Sequence, residues 1–150
     1  MKPSTLAPFF IAACLIFAGG PVMAHDDATL DTMTAPNGGQ LRMAGPYHFE
    51  LVVDRTASGA ADAPVYVYLS DHAGNPQPAK GVTGTAILLS PKGKASVPLA
   101  ADGESRLKGM GKYAADPALK AVVSLKFADG STGQARFEPL AHDATQHHMH

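Results

Sequence analysis

Short stretches of alternating apolar and polar residues follow one another from residue 40 to residue 140. The clearest is residues 47–54, where Tyr47, Phe49, Leu51 and Val53 share one face of an extended strand. Turn signals rich in Gly, Pro, Asn and Asp separate it from further strands predicted at residues 40–44, 65–71, 83–90, 94–100, 105–110, 119–127 and 131–140. About eight short strands with no convincing helix predict an antiparallel β-sandwich of immunoglobulin or cupredoxin type, and a closed small barrel is the alternative.

One predicted strand carries a residue that restricts its position in the sheet. Pro98 lies within residues 94–100 and has no backbone N–H to donate to a neighbouring strand. Proline within a sheet is found on edge strands or at bulges. We therefore expect residues 94–100 to be an edge strand or to carry a bulge.

The first 24 residues have the composition of a secretory signal peptide. Lys2 precedes an apolar run over residues 6–19, and small residues lead up to His25. Cleavage before His25 would place the protein in the periplasm, without stable membrane insertion. A retained N-terminal anchor and lipoprotein processing at Cys14 are the alternatives. The predicted organisation is a signal peptide (1–24), an extended and flexible lead-in (25–36), a β-sandwich (37–140) and a histidine-rich tail (141–150).

The net charge limits which partners are expected, and the cysteine content limits how the fold can be stabilised. Lys2 is the only charged residue in 1–24, so its loss would change the formal net charge from −1 to −2. This balance gives no reason to expect nucleic acid or an anionic membrane as a partner. Cys14 is the only cysteine. The exported chain would therefore have no disulfide, and its hydrophobic core alone would stabilise it.

Most of the seven histidines lie outside the predicted sandwich, and the last nine residues hold four of them. Imidazole suits Cu(II), Zn(II) and Ni(II), and the thioether of methionine adds a soft ligand for Cu(I). A histidine-rich tract can bind a metal by wrapping around it, and a solvated tail that binds metal only adventitiously is the alternative. The candidate ligands of the tail are His142, His147, His148, His150 and Met149.

Three further histidines are candidate metal ligands. After cleavage, the α-amine and imidazole of His25 can chelate one metal, with His48 or His72 as a second histidine, although cleavage before a histidine can also be coincidental. His48 shares a strand face with Glu50, about 7 Å away along the strand. Together they can contribute to one ion, and a hydrogen-bonded surface histidine is the alternative. Met43 is close enough in sequence to reach His48.

No catalytic motif stands out. The exported chain has no nucleophilic cysteine, no G-x-S-x-G, no H-E-x-x-H and no glycine-rich phosphate loop followed by a helix. We therefore expect a protein that is not an enzyme. An oxidative copper enzyme built on His25 is a remote alternative. Such an enzyme would need a flat aromatic surface for its substrate, and the chain has no tryptophan to form one.

Two segments carry a resemblance to a known group of proteins. N-G-G-Q-L-R-M-A-G-P-Y-H-F-E-L-V-V (residues 37–53) and V-Y-V-Y-L-S-D-H-A-G-N-P (residues 65–76) resemble a small periplasmic domain found beside bacterial heavy-metal efflux systems for copper or for cobalt, zinc and cadmium. The resemblance implies that His48 with Glu50, and Asp71 with His72, are the positions of interest. It also implies a heavy-metal efflux complex of the envelope as a partner, with this chain as a stand-alone domain.

Together these features predict a periplasmic metal-binding protein that buffers copper or delivers it for metal resistance. Zinc, nickel and cobalt are the other candidate ions. The alternative is a non-catalytic exported β-sandwich that acts as an interaction module of the cell envelope.

Overall fold

The computed structural model describes residues 26–141. Every strand predicted from the alternating pattern is present, and one short helix precedes them. The elements are α1 (Asp27–Asp31), β1 (Gln40–Ala44), β2 (Tyr47–Val53), β3 (Ala63–Asp71), β4 (Thr83–Ser90), β5 (Gly93–Ala101), β6 (Arg106–Gly111), β7 (Lys120–Lys126) and β8 (Thr132–Phe137).

The eight strands form one antiparallel sheet in the order β1-β2-β3-β6-β5-β4-β7-β8. The sheet curls until β1 and β8 lie side by side. There the backbone N–H of Glu138 donates to the side-chain oxygen of Gln40, at 2.8 Å. The prediction of an all-β protein with eight antiparallel strands is confirmed. Their arrangement as one nearly closed, barrel-like sheet is nearer to the small-barrel alternative than to two separate sheets.

The ladder is narrow between β5 and β6, where only Ala100 pairs with Lys108 and Ala101 with Leu107. Pro98 lies beyond these pairs, at a part of β5 that pairs only with β4. Strand β5 lies between β6 and β4, so it is not the edge strand that was one of the two expectations for residues 94–100. Strand β6 crosses β5 closely here. A Cβ on Gly109 would lie 2.3 Å from the carbonyl oxygen of Pro98, so only glycine fits at this crossing.

The core lies inside the curled sheet and follows the alternation of the sequence. On β2, Phe49 and Leu51 are fully buried, and Val65 and Val67 of β3 and Leu107 of β6 join them. Each large apolar side chain removed from water in this way contributes about 1.5–3 kcal/mol. This packing fixes which face of β2 points outward, and it therefore fixes the direction of His48 and Glu50.

Residues 26–39, called the strap below, lie against the outside of β1 and β2. Asp26 caps α1 by accepting the backbone N–H of Thr29 at 2.9 Å, and Leu30 is buried, with 1% of its surface exposed. Asp31 accepts a hydrogen bond from Arg42 at 2.7 Å, which ties the helix to β1. The prediction of an extended lead-in is wrong over Asp27–Asp31. An N-cap and one buried leucine are enough to stabilise a single helical turn against the sheet.

Candidate functional site

The structure places two of the predicted ligands. His25, His142, His147, His148, His150 and Met149 lie outside the described residues, as do the predicted signal peptide and Cys14. Their roles therefore stay predictions. Within residues 26–141 the candidate site consists of His48, His72 and the groups around them.

His48 and His72 lie against each other. His48 is in the middle of β2, opposite Ser70 of β3, and His72 follows β3 by one residue. Because side chains two residues apart in a strand share a face, His72 continues the row that passes over His48. The two imidazole rings stack with centroids 4.9 Å apart and an interplanar angle of 18°. His48 is buried, with 3% exposed, and His72 is half-buried.

A backbone carbonyl orients the ring of His72. Nε2 of His72 lies 3.0 Å from the carbonyl oxygen of Gly45, in the turn between β1 and β2. A carbonyl oxygen only accepts hydrogen bonds, so Nε2 carries the proton in this contact. In the neutral ring the lone pair then belongs to Nδ1, which defines the nitrogen able to bind a metal.

A thioether lies across from His48. Met43 of β1 is directly opposite His48 in the strand register, so the two side chains are on the same outer face. The N–H of Met43 points away from β2, toward a carboxylate oxygen of Asp27 at 3.4 Å. The pair is therefore of the non-hydrogen-bonded type, in which opposite side chains approach most closely. The prediction that Met43 reaches the neighbourhood of His48 is in agreement with this register.

Glu50 holds the strap. Its carboxylate oxygens accept hydrogen bonds from the N–H of Asn37 at 2.8 Å, the side-chain amide of Asn37 at 2.9 Å and the N–H of Gly39 at 3.0 Å. Glu50 is 3% exposed, and His48 beside it equally so. The alternative of a surface histidine is wrong for His48, because the strap covers the outer face on which both side chains lie.

Asp71, paired with His72 by the resemblance, organises the turn that follows β3. Its carboxylate accepts the N–H groups of Ala73 and Asn75, each at 2.9 Å, and the side-chain amide of Asn75 at 3.1 Å. These hydrogen bonds, those from Asn75 first, lower the pKa of Asp71 below its ordinary value. The carboxylate therefore shapes the loop that presents His72.

A cavity of about 230 Å³ lies between the strap, β2 and the turn after β3. His48, His72 and Glu50 are part of its wall. Most of the remaining lining is apolar, and it includes Met33, Pro36, Leu41, Leu69 and Tyr68. Met33 is 49% exposed, so its thioether stands at the entrance. The volume exceeds the roughly 30 Å³ that one water molecule occupies in the liquid, so the cavity can admit an ion with further ligands.

Within residues 26–141, no three His, Cys, Asp or Glu side chains converge in a way that could hold a metal ion. The site as described offers two imidazoles, with methionine thioethers nearby. No helix of this part of the chain has the length and apolar character needed to cross a lipid bilayer.

A cationic and aromatic surface next to the cavity was missed by the sequence reasoning. The guanidinium carbon of Arg106 lies 4.8 Å from the ring centre of Tyr66 and 5.9 Å from that of Tyr68, and Lys108 approaches Tyr66 at 5.7 Å. Hydrogen bonding to Tyr68, followed by that to Asp102, raises the pKa of Arg106. The two-residue spacing of Tyr66 and Tyr68 indicates that both rings lie on one face of a strand, which the sequence shows. Their cationic partners could not be found in this way, because they come from a strand about forty residues later.

Comparisons of the chain with protein-family models, with curated proteins and with solved structures found no match. The resemblance to efflux-associated periplasmic domains therefore has no support from them, and it stays a prediction.

Proposed function

We propose that this protein is a periplasmic copper-binding protein that holds the ion at His48 and His72 and passes it on by ligand exchange, without turnover. The observation that carries the proposal is the stacking of the two imidazoles, 4.9 Å apart, with Met43 opposite His48. Residues from distant parts of the sequence meet here, and their ligand types are those that copper prefers. Zinc, nickel and cobalt are the competing ions.

Several parts of the proposal rest on the sequence. The periplasmic location depends on the predicted cleavage before His25, and the efflux complex as recipient depends on the resemblance alone. The tail histidines would capture the ion, and the strand site would retain it. The finer assignment to sandwiches of immunoglobulin or cupredoxin type rests on the alternating pattern of the sequence, and its one structural support is the narrow β5–β6 ladder, which partly divides the single curled sheet into two four-stranded halves.

Calorimetric titration with Cu(II), and with Cu(I) under reductant, tests the proposal. A variant with alanine at the four tail histidines isolates the strand site, and His72→Ala is then added. We expect the tail variant to keep one ion per chain, and His72→Ala to weaken its affinity at least about tenfold, equivalent to about 1.4 kcal/mol.

The control is Lys92→Ala in the exposed turn between β4 and β5, because this residue does not line the cavity that holds His48 and His72. It should leave the affinity unchanged. Binding by the tail variant no tighter than that of free histidine would refute the proposal.

A second function is favoured by the outer face of β4. Ile87 and Leu89 are 37% and 51% exposed there, and exposed apolar patches mark protein interaction sites. Deletion of residues 141–150 combined with His72→Ala separates the two functions. If metal tolerance is unchanged in that variant and an envelope protein still co-purifies, the interaction module is the better description.

A further inference from the structure

We infer that the site at His48 and His72 takes a soft monovalent cation, Cu(I), in preference to Cu(II) or Zn(II). The inference rests on the proposed function and adds the charge and oxidation state of the ion. Three features of the described residues carry it: the kinds of ligand present, the engagement of the nearby carboxylates, and the apolar lining of the cavity.

The available ligands are soft. Met43 faces His48 across the strand pair, and Met33 lines the same cavity as both histidines. Thioether sulfur selects Cu(I) among biological metals, whereas Zn(II) and Cu(II) sites are built from imidazole, carboxylate and thiolate. Because Cu(I) accepts low coordination numbers, two imidazoles and one thioether are a sufficient set. A divalent ion would lack a third His, Cys, Asp or Glu ligand, since no three such groups converge on one point within residues 26–141.

The carboxylates closest to the site are engaged elsewhere. Both oxygens of Glu50 accept hydrogen bonds from the strap, and those of Asp71 accept hydrogen bonds from its own turn. A metal that took either carboxylate would leave buried or ordered N–H groups without an acceptor, which costs about 1–3 kcal/mol for each group. In the arrangement described, neither carboxylate therefore serves as a direct ligand of an ion at the two histidines.

The cavity lining strengthens the preference for a single charge. Leu41, Pro36 and Pro76 form an apolar wall beside the two histidines. The cost of moving an ion from water into such surroundings rises with the square of its charge, so a divalent ion is penalised about four times as much as a monovalent one. Because neither Glu50 nor Asp71 coordinates the ion directly, the ion of smaller charge is favoured.

The hydrogen bond to Gly45 assigns the coordinating nitrogen of His72. Since Nε2 donates to the Gly45 carbonyl oxygen at 3.0 Å, Nδ1 is the ligand atom in the arrangement described. A metal bound there leaves the Nε2–H in place as the group that orients the ring. This gives the inference a spectroscopic signature that is separate from affinity.

The test is a competitive titration of Cu(I) against a chromophoric Cu(I) chelator without oxygen, beside calorimetric titrations with Cu(II) and Zn(II). All use the variant with alanine at the four tail histidines. We expect Cu(I) to bind most tightly, and Met43→Leu to weaken Cu(I) at least about tenfold while leaving Cu(II) and Zn(II) unchanged. Nitrogen NMR should show the main shift at Nδ1 of His72 on addition of Cu(I).

Met110→Leu is the matched control, because it also removes one thioether but at a position remote from the histidines. Met110 lies on β6 and is 49% exposed. It should not change any affinity. If Cu(II) or Zn(II) binds more tightly than Cu(I), depends on His72 and is indifferent to Met43→Leu, the inference is wrong and the proposed function stands. If no ion binds once the tail histidines are replaced, both are wrong.

Discussion

On the outer face of β2 the polar side chains of His48 and Glu50 are each 3% exposed, whereas on the outer face of β4 the apolar side chains of Ile87 and Leu89 are 37% and 51% exposed. Both pairs lie on the side of the sheet that points away from the core. The difference arises because the strap covers β2, and Glu50 supplies the acceptor that holds it there. Exposure on this sheet thus depends on which segment lies over a strand as well as on residue type.

The comparison also separates two kinds of buried surface. The inner face of β2 is stabilised by apolar packing around Phe49 and Leu51. The outer face is stabilised by one carboxylate that accepts three hydrogen bonds. A buried carboxylate is costly unless its oxygens are satisfied. The strap and Glu50 therefore depend on each other, and substitutions on the two sides of this contact are the sharpest way to test the comparison.

Glu50→Ala should have the largest effect, a loss of about 3 kcal/mol in the free energy of unfolding. The substitution removes the acceptor of three hydrogen bonds. The loss of stability is limited because the released strap can form hydrogen bonds with water instead. Urea denaturation measures the change. Amide hydrogen exchange should show lost protection at Asn37 and Gly39. Glu104→Ala, at an exposed position, is the control. A loss below about 0.5 kcal/mol would show that Glu50 does not hold the strap.

Leu30→Ala tests the apolar attachment of the strap. Leu30 is 1% exposed, and truncation of a buried leucine costs about 2–5 kcal/mol. We expect about 2 kcal/mol, at the low end of that range, because a helix of one turn can open locally. Denaturant unfolding with limited proteolysis within residues 26–39 measures it. Thr29→Ala, on the exposed side of α1, should change the stability by less than about 0.5 kcal/mol. Equal losses for both variants would contradict the packing of Leu30.

The strands could be predicted from the sequence because each depends on local alternation and turn residues. Every predicted strand exists, and Pro98 lies at a poorly paired part of the sheet, although its strand is an inner one and not an edge strand. The closure of one sheet could not be predicted, because it depends on the contact of β1 with β8, almost a hundred residues apart. Alternation identifies two faces of a strand but does not tell whether a second segment covers the outer one.

The candidate site was predictable only as a set of residue types. His48, His72 and Met43 could be named as ligands from their chemistry, but their meeting depends on strand register, which the sequence leaves open. The helix of the strap had a weak signal in the sequence: Asp26 is a suitable N-cap, and Leu30 and Met33 follow with the spacing of one helical face. The bond from Asn37 to Glu50 had none, since it joins a turn to the outer face of a strand.

Tyr113→Phe extends the comparison to a neutral buried group. The hydroxyl of Tyr113 donates to the carbonyl of Pro64 at 2.6 Å and accepts the N–H of Asp54 at 2.8 Å. Its removal should cost about 1–1.5 kcal/mol, less than Glu50→Ala, because neutral hydrogen bonds contribute less than those to a charge. Urea denaturation of the variant at neutral pH measures the loss.

The same hydroxyl predicts a dependence on alkaline pH. Burial raises the pKa of Tyr113 above its ordinary value of 10.0. Above pH 10 the unfolded chain releases this proton before the folded chain does, so the unfolded state is favoured and stability falls as pH rises. This contribution to the fall of stability at alkaline pH should be missing in Tyr113→Phe and present in the control Tyr66→Phe. An identical alkaline slope in the wild type and in Tyr113→Phe would contradict the prediction.

The smallest effect is expected at the exposed apolar face of β4. Ile87→Thr and Leu89→Thr should each change the free energy of unfolding by less than about 0.5 kcal/mol, because 37% of Ile87 and 51% of Leu89 is already in water and threonine suits a strand. Urea denaturation of dilute protein measures this. Sedimentation at increasing concentration separates folding from association. A stability loss above about 1 kcal/mol that grows with concentration would mean that another copy covers this face. The two outer faces would then be alike, one covered by the strap and the other by a neighbouring molecule.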